Sequence, residues 1–262
     1  MDFPRVYNMF LEFEKISRSF GGVNALSEVS FGVQAKTIHG LIGPNGSGKT
    51  TLMNVVSGLT GPDAGRLLLD GRPIHRLRPH RIAALGVART FQNIRLFPKM
   101  TCMENVIAGQ HLMGGRALFP RLFRLPSARA EERQSVANAM ACLAKAGIEG
   151  RARALAGSLS YGERRRLEIA RAMALKPRIL LLDEPIAGMR LREIEEMETL
   201  FRSLVESGVT ILLIEHNMPF VMRLCQRITV LHFGQTVTTG APQEVAEHPE
   251  VIEAYLGMKS EC

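Results

Sequence analysis

The stretch GPNGSGKT is the first part of the chain whose residue types and spacing could do chemistry, because it matches the pattern G-x-x-x-x-G-K-[ST]. In such a loop, glycines let successive backbone N–H groups converge on phosphate oxygens, and the helix that follows presents its positive end to the same anion. The lysine reaches the outer phosphates, and the threonine hydroxyl can ligate Mg²⁺. We therefore predict a phosphate-binding loop made of Gly43, Pro44, Asn45, Gly46, Ser47, Gly48, Lys49, Thr50 and Thr51.

Two adjacent acids, Asp183 and Glu184, follow the apolar run ILLL. In enzymes with a phosphate-binding loop, an aspartate at the carboxyl end of a buried strand holds Mg²⁺. Ligands of parallel sheets bind at this same edge. Glu184 is then placed to polarise an attacking water as a general base. The chain lacks the Asn-Lys-x-Asp sequence that reads guanine in GTPases.

A framework of strands and helices must position these residues. Alternation of apolar and polar residues predicts antiparallel strands, and continuous apolar runs predict central parallel strands. The alternating stretches are LEFEKI and VSFGV; the apolar runs are TIHGLIG, RILLLDEP and VTILLIEH. RLLLDGR is a further strand, TTLMNVVSGL is a helix stopped by Gly61-Pro62, and RITVLHFGQTVTTG is a hairpin turning near Gly234. PQEVAEHPEVIEAYLG is a short helical tail.

Strand signals vanish between residues 98 and 156, where EERQSVANAMACLAKAGI is helical and ends at Gly147. GGRALFPRLFRLPSAR, which precedes it, is expected to be an irregular surface segment. The fold class expected is α/β. A phosphate-loop NTPase core has a mostly parallel sheet with helices on both faces, and it carries an N-terminal antiparallel β subdomain and an inserted α-helical subdomain at 98–156.

A helix is predicted at 160–175, because Ser160 followed by Glu163 forms a capping box. Gly162 is out of place there, since glycine in a helix costs up to about 1 kcal/mol relative to alanine. Three arginines, residues 164–166, follow it. They either add to a positive field or form a solvated face.

Composition bounds the remaining possibilities. With 262 residues and 46% hydrophobic content, the chain suits one large α/β domain or a domain with a subdomain. No apolar run approaches the roughly 20 residues that span a bilayer, and no signal peptide is evident, so we expect a cytoplasmic protein. The four cysteines form no CxxC pair, which predicts reduced thiols. The net charge of +8 is dispersed and no nucleic-acid motif accompanies it, so a solvated basic face or an anionic membrane is favoured over nucleic acid.

Over essentially its whole length, the sequence resembles the ATP-binding subunit of ABC transporters. LSYGE resembles the signature motif of that family, usually LSGGQ; Gln92 in RTFQN matches the Q-loop glutamine, and His216 in LIEHN matches the switch histidine. Phe20 in SFGG matches the aromatic residue that stacks on adenine. The resemblance implies a single nucleotide-binding domain over 1–262 that uses ATP and Mg²⁺. It assigns catalysis to Glu184, His216, Lys49 and Gln92, and the metal to Thr50, Gln92 and Asp183.

The resemblance also implies a partner. In this family two subunits pack head to tail, and the signature helix of one meets the γ-phosphate of ATP held by the other. Ser160, Gly162 and Glu163 would then complete a site on a second ATPase subunit, in a homodimer or a heterodimer. Membrane permease subunits and, indirectly, an extracytoplasmic substrate-binding protein are the further partners implied, with the chain on the cytoplasmic face of the membrane.

Within the family, GLIGPNGSGKTTLMNVVSGL, RTFQNIRLFP and PEVIEAYLG resemble the ATPases of branched-chain amino acid importers. Related ATPases for urea, short amides and lipopolysaccharide export share much of this pattern. A soluble ABC-type ATPase acting in DNA repair or on ribosomes is a rival, but such proteins usually carry coiled-coil insertions or tandem cassettes. A regulatory protein that binds ATP without hydrolysing it is a third alternative.

Four positions depart from the family pattern. Tyr161 and Glu163 replace the usual glycine and glutamine of the signature. Arg190 and Leu191 stand where the subgroup commonly has asparagine and proline, in a loop that crosses the dimer interface. A positive charge there would either weaken closure or pair with an acid of the partner.

Overall fold

The computed structural model describes residues 9–90, 92, 94–110 and 126–256. The chain divides into two compact units. The first comprises Met1–Ile82, Leu181–Glu184 and Arg202–Cys262, and the second comprises Ala83–Leu180 and Pro185–Phe201. In the described residues no helix is both long and apolar enough to cross a membrane.

Two sheets form the first unit. An antiparallel sheet has the order β2-β1-β4-β5, and a second sheet runs β10-β9-β3-β8-β7. Its strands are β1 (Leu11–Phe20), β2 (Val23–Val33), β3 (Ile38–Ile42), β4 (Ala64–Leu69), β5 (Arg72–Pro73), the end of β7 (Ile179–Asp183), β8 (Thr210–Ile214), β9 (Arg227–His232) and β10 (Gln235–Gly240). The antiparallel pairing of β1 with β2 and the hairpin of β9 with β10, which turns at Phe233-Gly234, confirm the predictions from alternation.

The central strands of the second sheet are buried along their whole length. Every residue of β3, β7 and β8 is buried, and β3 pairs in parallel with both β8 and β9. Strands covered on both faces need apolar residues at every position, which is why these runs show no alternation. The phosphate-binding loop follows β3, and β7 ends at Asp183, the first of the paired acids.

The helices of this unit are short. They are α1 (Lys49–Val56), α2 (Pro79–Ala84, of which Pro79–Ile82 belongs to this unit), α7 (Met218–Leu224), α8 (Pro242–Ala246) and α9 (Pro249–Leu256). Helix α1 ends before Gly58, whose φ of +72° leaves the helical region, rather than at Gly61-Pro62. The helical tail is two helices instead of one, because Pro249 cannot continue α8 and starts α9.

The second unit is mainly helical. It contains β6 (Val87–Arg89), α3 (Cys102–Gly109), α4 (Pro126–Lys145), α5 (Tyr161–Met173) and the start of α6 (Leu191–Glu206). The carbonyl oxygen of Gly86 accepts from Arg178 N and Ile179 N at the start of β7. Leu143, Val106 and Leu167 belong to the cluster in which α3, α4 and α5 pack together.

Two sequence predictions meet the structure differently in this unit. Helix α4 begins at Pro126, five residues before the helix that was predicted from Glu131, so the end of the expected irregular segment is helical. The rest of that segment, 114–125, lies outside the described residues. Helix α5 begins at Tyr161 with Ser160 as its N-cap, as the capping box predicts.

Candidate functional site

The loop after β3 is shaped by glycines. Gly43 has φ +150°, and a Cβ on it would overlap the backbone carbonyl oxygen of Leu231. Gly46 has φ +79°, and a Cβ on it would meet nothing within 4 Å. Gly43 is thus required by the close approach of two backbones, while Gly46 lies on the open side of the loop, where a phosphate has room.

The N-terminus of α1 is left without a side-chain cap. Its N-cap is Gly48, which makes no side-chain cap hydrogen bond. The first N–H groups of a helix have no partner within the helix, and they carry the positive end of its dipole. Together with the loop, this arrangement suits an anion such as a nucleotide phosphate.

Lys49 lies within the loop that it is expected to serve. Its ammonium group donates to the carbonyl oxygens of Gly43 at 2.8 Å and Pro44 at 2.7 Å. Burial lowers the pKa of Lys49, and the carboxylates of Glu184 and Asp183 act in the opposite direction. Those two charges help to keep the ammonium protonated in a site that otherwise disfavours it.

Glu184 follows β7 in a strained conformation. Its φ is +48°, which is uncommon for a residue other than glycine. Its N–H donates to the carbonyl oxygen of Ile214 at the end of β8, at 2.9 Å. The hydrogen bond holds the backbone in a region of φ that costs of order 1–3 kcal/mol, and such residues cluster at active sites.

His216 and Glu184 form a pair at this edge of the sheet. His216 Nε2 lies 3.0 Å from Glu184 Oε1. Both side chains remain partly accessible, with 41% of His216 and 23% of Glu184 exposed. With Nε2 protonated, the imidazole donates to the carboxylate and fixes its direction, while water can still reach it.

The residues expected to hold a metal are all oxygen donors, the ligands that Mg²⁺ prefers. Thr50 is exposed at the start of α1 and supplies a hydroxyl, and Asp183 supplies a carboxylate that is 6% exposed at the end of β7. Both belong to the first unit. Gln92, which would supply an amide oxygen, is exposed in the second unit. The hydroxyl of Thr50 and the carboxylate of Asp183 therefore suit Mg²⁺.

The ring of Phe20 lies at the end of β1 and is 46% exposed. The Arg18 guanidinium carbon lies 4.8 Å from the centre of the ring, and Arg18 is held by Asp63 at 2.5 Å. A cation over one face fixes the ring and leaves an exposed aromatic surface. That surface could stack on an adenine base.

The signature residues lie at the N-terminus of α5. Ser160 Oγ accepts from Glu163 N at 3.3 Å, and Glu163 Oε2 accepts from Ser160 N at 2.9 Å. Glu163 Oε1 accepts from Arg151 Nε at 2.8 Å, and the hydrogen bond from the Ser160 backbone and the Arg151 bond lower the pKa of Glu163. The carboxylate is therefore engaged within the chain. The Ser160 hydroxyl accepts in the cap and still has a proton to donate.

Gly162 is the second residue of α5 and is buried. A Cβ added there would lie 2.5 Å from Glu193 Oε1, and its three nearest heavy atoms would all belong to Glu193. Glu193 Oε2 accepts from Arg190 N at 2.9 Å at the start of α6. A cavity of about 510 Å³ opens beside these groups, lined by Gly147, Ile148, Gly150, Arg151, Ser160, Gly162, Glu163, Arg166, Glu193 and Glu196.

Sequence reasoning missed the role of Arg165. The structure shows that it is not part of a solvated face, since it is 2% exposed and pairs with Glu168 at 3.1 Å. Its guanidinium also donates to the backbone carbonyl of Gln92 and to the Tyr161 hydroxyl. The signal was present as Arg and Glu three residues apart on a helix, although burial could not be read from that spacing. Tyr161 thus anchors a buried arginine.

The structure brings the predicted residues together in two groups. Lys49, Asp183, Glu184 and His216 meet in the first unit, which also holds Phe20. Gln92, Ser160, Gly162 and Glu163 belong to the second unit. The first group has the composition of a hydrolytic nucleotide site.

Comparison with known proteins agrees with this geometry. A sequence profile of the ABC transporter family matches residues 26–187, and one described as branched-chain amino acid ATP-binding cassette transporter matches 235–257. The chain is 42% identical over 248 residues to BraF of Pseudomonas aeruginosa, a high-affinity branched-chain amino acid transport ATP-binding protein, covering 94% of this chain and 97% of BraF. It is 41% identical over 239 residues to LivG of Escherichia coli, which bears the same description, covering 91% and 94% respectively.

Solved structures give the same result. An ATP-binding cassette of an ABC transporter in its ADP conformation is 32% identical, with a TM-score of 0.83, covering 95% of this chain and 99% of that chain. The similarity extends over nearly the whole length of both chains. The chain therefore belongs to the ABC transporter family, as an ATP-hydrolysing subunit.

Proposed function

We propose that the chain drives an importer of branched-chain amino acids by hydrolysing ATP on the cytoplasmic face of the membrane. The assignment of ATP hydrolysis rests on the pairing of Glu184 with His216, which lie 3.0 Å apart in the same unit as Lys49. The substrate is inferred from the two relatives with 41–42% identity, whose descriptions name branched-chain amino acid transport.

Glu184 acts as the general base in this proposal. Its carboxylate, oriented by His216, takes a proton from the water that attacks the γ-phosphorus, and the bond from that phosphorus to the leaving ADP oxygen breaks. Lys49 exchanges its loop carbonyl acceptors for phosphate oxygens and stabilises the charge that develops. Phe20 stacks on the adenine.

Thr50 and Asp183, both in the first unit, would hold Mg²⁺ with the nucleotide. When bound, the ion neutralises charge on the β- and γ-phosphate oxygens. Gln92 lies in a loop whose backbone carbonyl is held by the buried Arg165. A change in the contacts of Gln92 would therefore be felt at α5.

A second ATPase subunit completes the site. The Ser160 hydroxyl donates to the γ-phosphate on the partner, and the missing side chain of Gly162 makes room for it. Glu163 keeps Ser160 in place through the cap, so its role is to position Ser160. ATP would close the dimer and hydrolysis would reopen it, moving the loops of a membrane permease to which an extracytoplasmic binding protein delivers the substrate.

Glu184→Gln tests the catalytic assignment. We expect turnover in the assembled transporter to fall at least about 100-fold, as loss of a general base predicts, while ATP still binds and the closed dimer accumulates. Glu206→Gln, at an exposed acid of α6, is the matched control and should leave turnover unchanged. Wild-type turnover in Glu184→Gln would remove Glu184 from the role of base.

Uptake of labelled leucine tests the substrate. Cells that lack this subunit should lose leucine uptake, and the wild-type chain should restore it while Glu184→Gln should not. Intact leucine uptake with lost uptake of urea or amides would overturn the substrate and leave the ATPase assignment standing.

A further inference from the structure

A strongly basic surface segment runs from β5 into α2. Arg72, Arg76, Arg78 and Arg81 are all exposed, and we call them the arginine patch. The sequence has no acid between Asp70 and Glu104. The patch therefore gathers four positive charges within ten residues and has no acid of its own.

The four guanidinium groups are not used by the fold. Across the part of the chain that the structure describes, none of these side chains takes part in an ion pair, a side-chain hydrogen bond or a ring contact. Two other arginines of the same unit, Arg18 and Arg66, are paired with Asp63 and Glu14. The patch is thus available to an external anion.

The backbone of the patch is anchored at both ends. Ile74 and Ile82 are each 1% exposed, and Ile74 N donates to the carbonyl oxygen of Leu67 at 2.9 Å. Between them Leu77 is 37% exposed. The segment therefore exposes arginines and one apolar side chain on a stretch of backbone that buried isoleucines anchor at both ends.

We propose that the arginine patch binds the anionic phospholipid headgroups of a membrane surface. Guanidinium forks match phosphate oxygens, and a basic surface that also exposes an apolar side chain suits the interface of a bilayer. Single-stranded nucleic acid is disfavoured, because residues 71–90 contain no Phe, Tyr or Trp on which bases could stack. The inference rests on the proposed function insofar as that function places the chain at a membrane.

Electrostatic attraction sets the expected size of the effect. Each basic residue near an anionic membrane strengthens binding about fivefold, so three together contribute on the order of 100-fold. The attraction is screened by salt, because the Debye length falls from about 10 Å at 0.1 M to about 3 Å at 1 M. Binding through the patch should therefore need both anionic lipid and low ionic strength.

Vesicle co-sedimentation of the full chain tests the proposal. The wild-type chain is compared on vesicles of phosphatidylcholine alone and of phosphatidylcholine with phosphatidylglycerol at low salt. The test variant carries Arg76→Gln, Arg78→Gln and Arg81→Gln. The control variant loses the same charge at exposed positions of the second unit, through Arg133→Gln, Lys145→Gln and Arg153→Gln. The thermal unfolding midpoint of each variant verifies folding.

We expect the wild type and the control variant to bind only the anionic vesicles, and the test variant to bind them on the order of 100-fold more weakly. Equal binding of the two variants to anionic vesicles would overturn the proposal. So would a wild-type chain that does not bind anionic vesicles, or one that binds a DNA duplex more tightly than it binds them. ATP hydrolysis measured without vesicles reports on the proposed function separately, so failed vesicle binding with intact hydrolysis would refute the lipid site alone.

Discussion

Replacing Gly162 by alanine separates what this glycine does for its own subunit from what it does for a partner. In α5 an alanine at this position would stabilise the helix by up to about 1 kcal/mol, because alanine has a higher helix propensity than glycine. Its Cβ would lie 2.5 Å from Glu193 Oε1, too close to remain there. The three heavy atoms nearest to the added methyl group all belong to Glu193, so Glu193 is the residue that must move.

The cost of that movement is small. Oε1 is at the end of a flexible side chain, and turning it away weakens the hydrogen bond that Arg190 N donates to Glu193 Oε2 at 2.9 Å. A hydrogen bond of this kind contributes about 0.5–1.5 kcal/mol, which offsets the gain in propensity. We therefore expect Gly162→Ala to change the free energy of unfolding by less than about 1 kcal/mol.

Catalysis should respond much more strongly. If the γ-phosphate of a partner subunit approaches α5 at Gly162, a methyl group there keeps the phosphate away from the Ser160 hydroxyl. A hydrogen-bond donor to the transition state is typically worth about 100- to 1,000-fold in rate. Urea unfolding measures the stability, and ATP hydrolysis by the assembled transporter measures the rate. Gly150→Ala is the matched control, because Gly150 lines the same cavity and its added Cβ meets nothing within 4 Å.

The double variant Gly162→Ala/Glu193→Ala decides between the two explanations. With Glu193 shortened, the alanine fits the subunit without a clash. Restored turnover in the double variant would show that the glycine serves Glu193 and would refute the argument from the partner. Loss of stability by 3 kcal/mol or more in Gly162→Ala, above the range of a helix propensity change, would refute it as well.

Three further variants probe the site and the fold. Ser160→Arg should abolish ATP hydrolysis but leave nucleotide binding by the single chain unchanged, as equilibrium titration can show. Arg165→Gln should lower the free energy of unfolding by about 3–5 kcal/mol, because it removes the guanidinium that pairs with the buried Glu168, and Arg165→Gln/Glu168→Gln should recover much of the loss. Burial lowers the pKa of His39 to about 3 from 6.5. The unfolded chain therefore takes up its proton first, and stability falls as pH drops below 6.5, by about 2 kcal/mol at pH 5. His39→Gln should remove that part of the difference between urea unfolding at pH 7.5 and pH 5.

Much of the first unit could be predicted because local chemistry encodes it. The phosphate-binding loop needs left-handed backbone, and the glycines that supply it stand at fixed positions in the sequence. Strands β3, β7 and β8 are buried on both faces, so continuous apolar runs reveal them. The hydrogen bond between Glu184 and His216 could be identified only in the folded structure. Both residues follow predicted strands, however, and parallel strands bring their carboxyl ends to one edge of the sheet.

The sequence predicts less well those side-chain positions that depend on tertiary contacts. The three arginines of α5 look alike in sequence, yet Arg165 is buried against Glu168 whereas Arg166 pairs with Glu196. Which arginine faces inward depends on how α5 packs, and charge alone does not encode it. The contact of Glu193 with Gly162 joins residues 31 positions apart, and no local pattern indicates it.

The two helices that carry the site offer different things to an anion. Helix α1 has Gly48 as its N-cap and no side-chain cap, so its first N–H groups can bind phosphate directly. Helix α5 is already capped, because the Glu163 N–H donates to Ser160 Oγ. Helix α5 adds the proton of the Ser160 hydroxyl and the space at Gly162. These two features can recognise a phosphate, but they contribute less to its binding free energy than the N-terminus of α1 does. Nucleotide affinity should therefore reside in the first unit, and the signature residues should act on the rate.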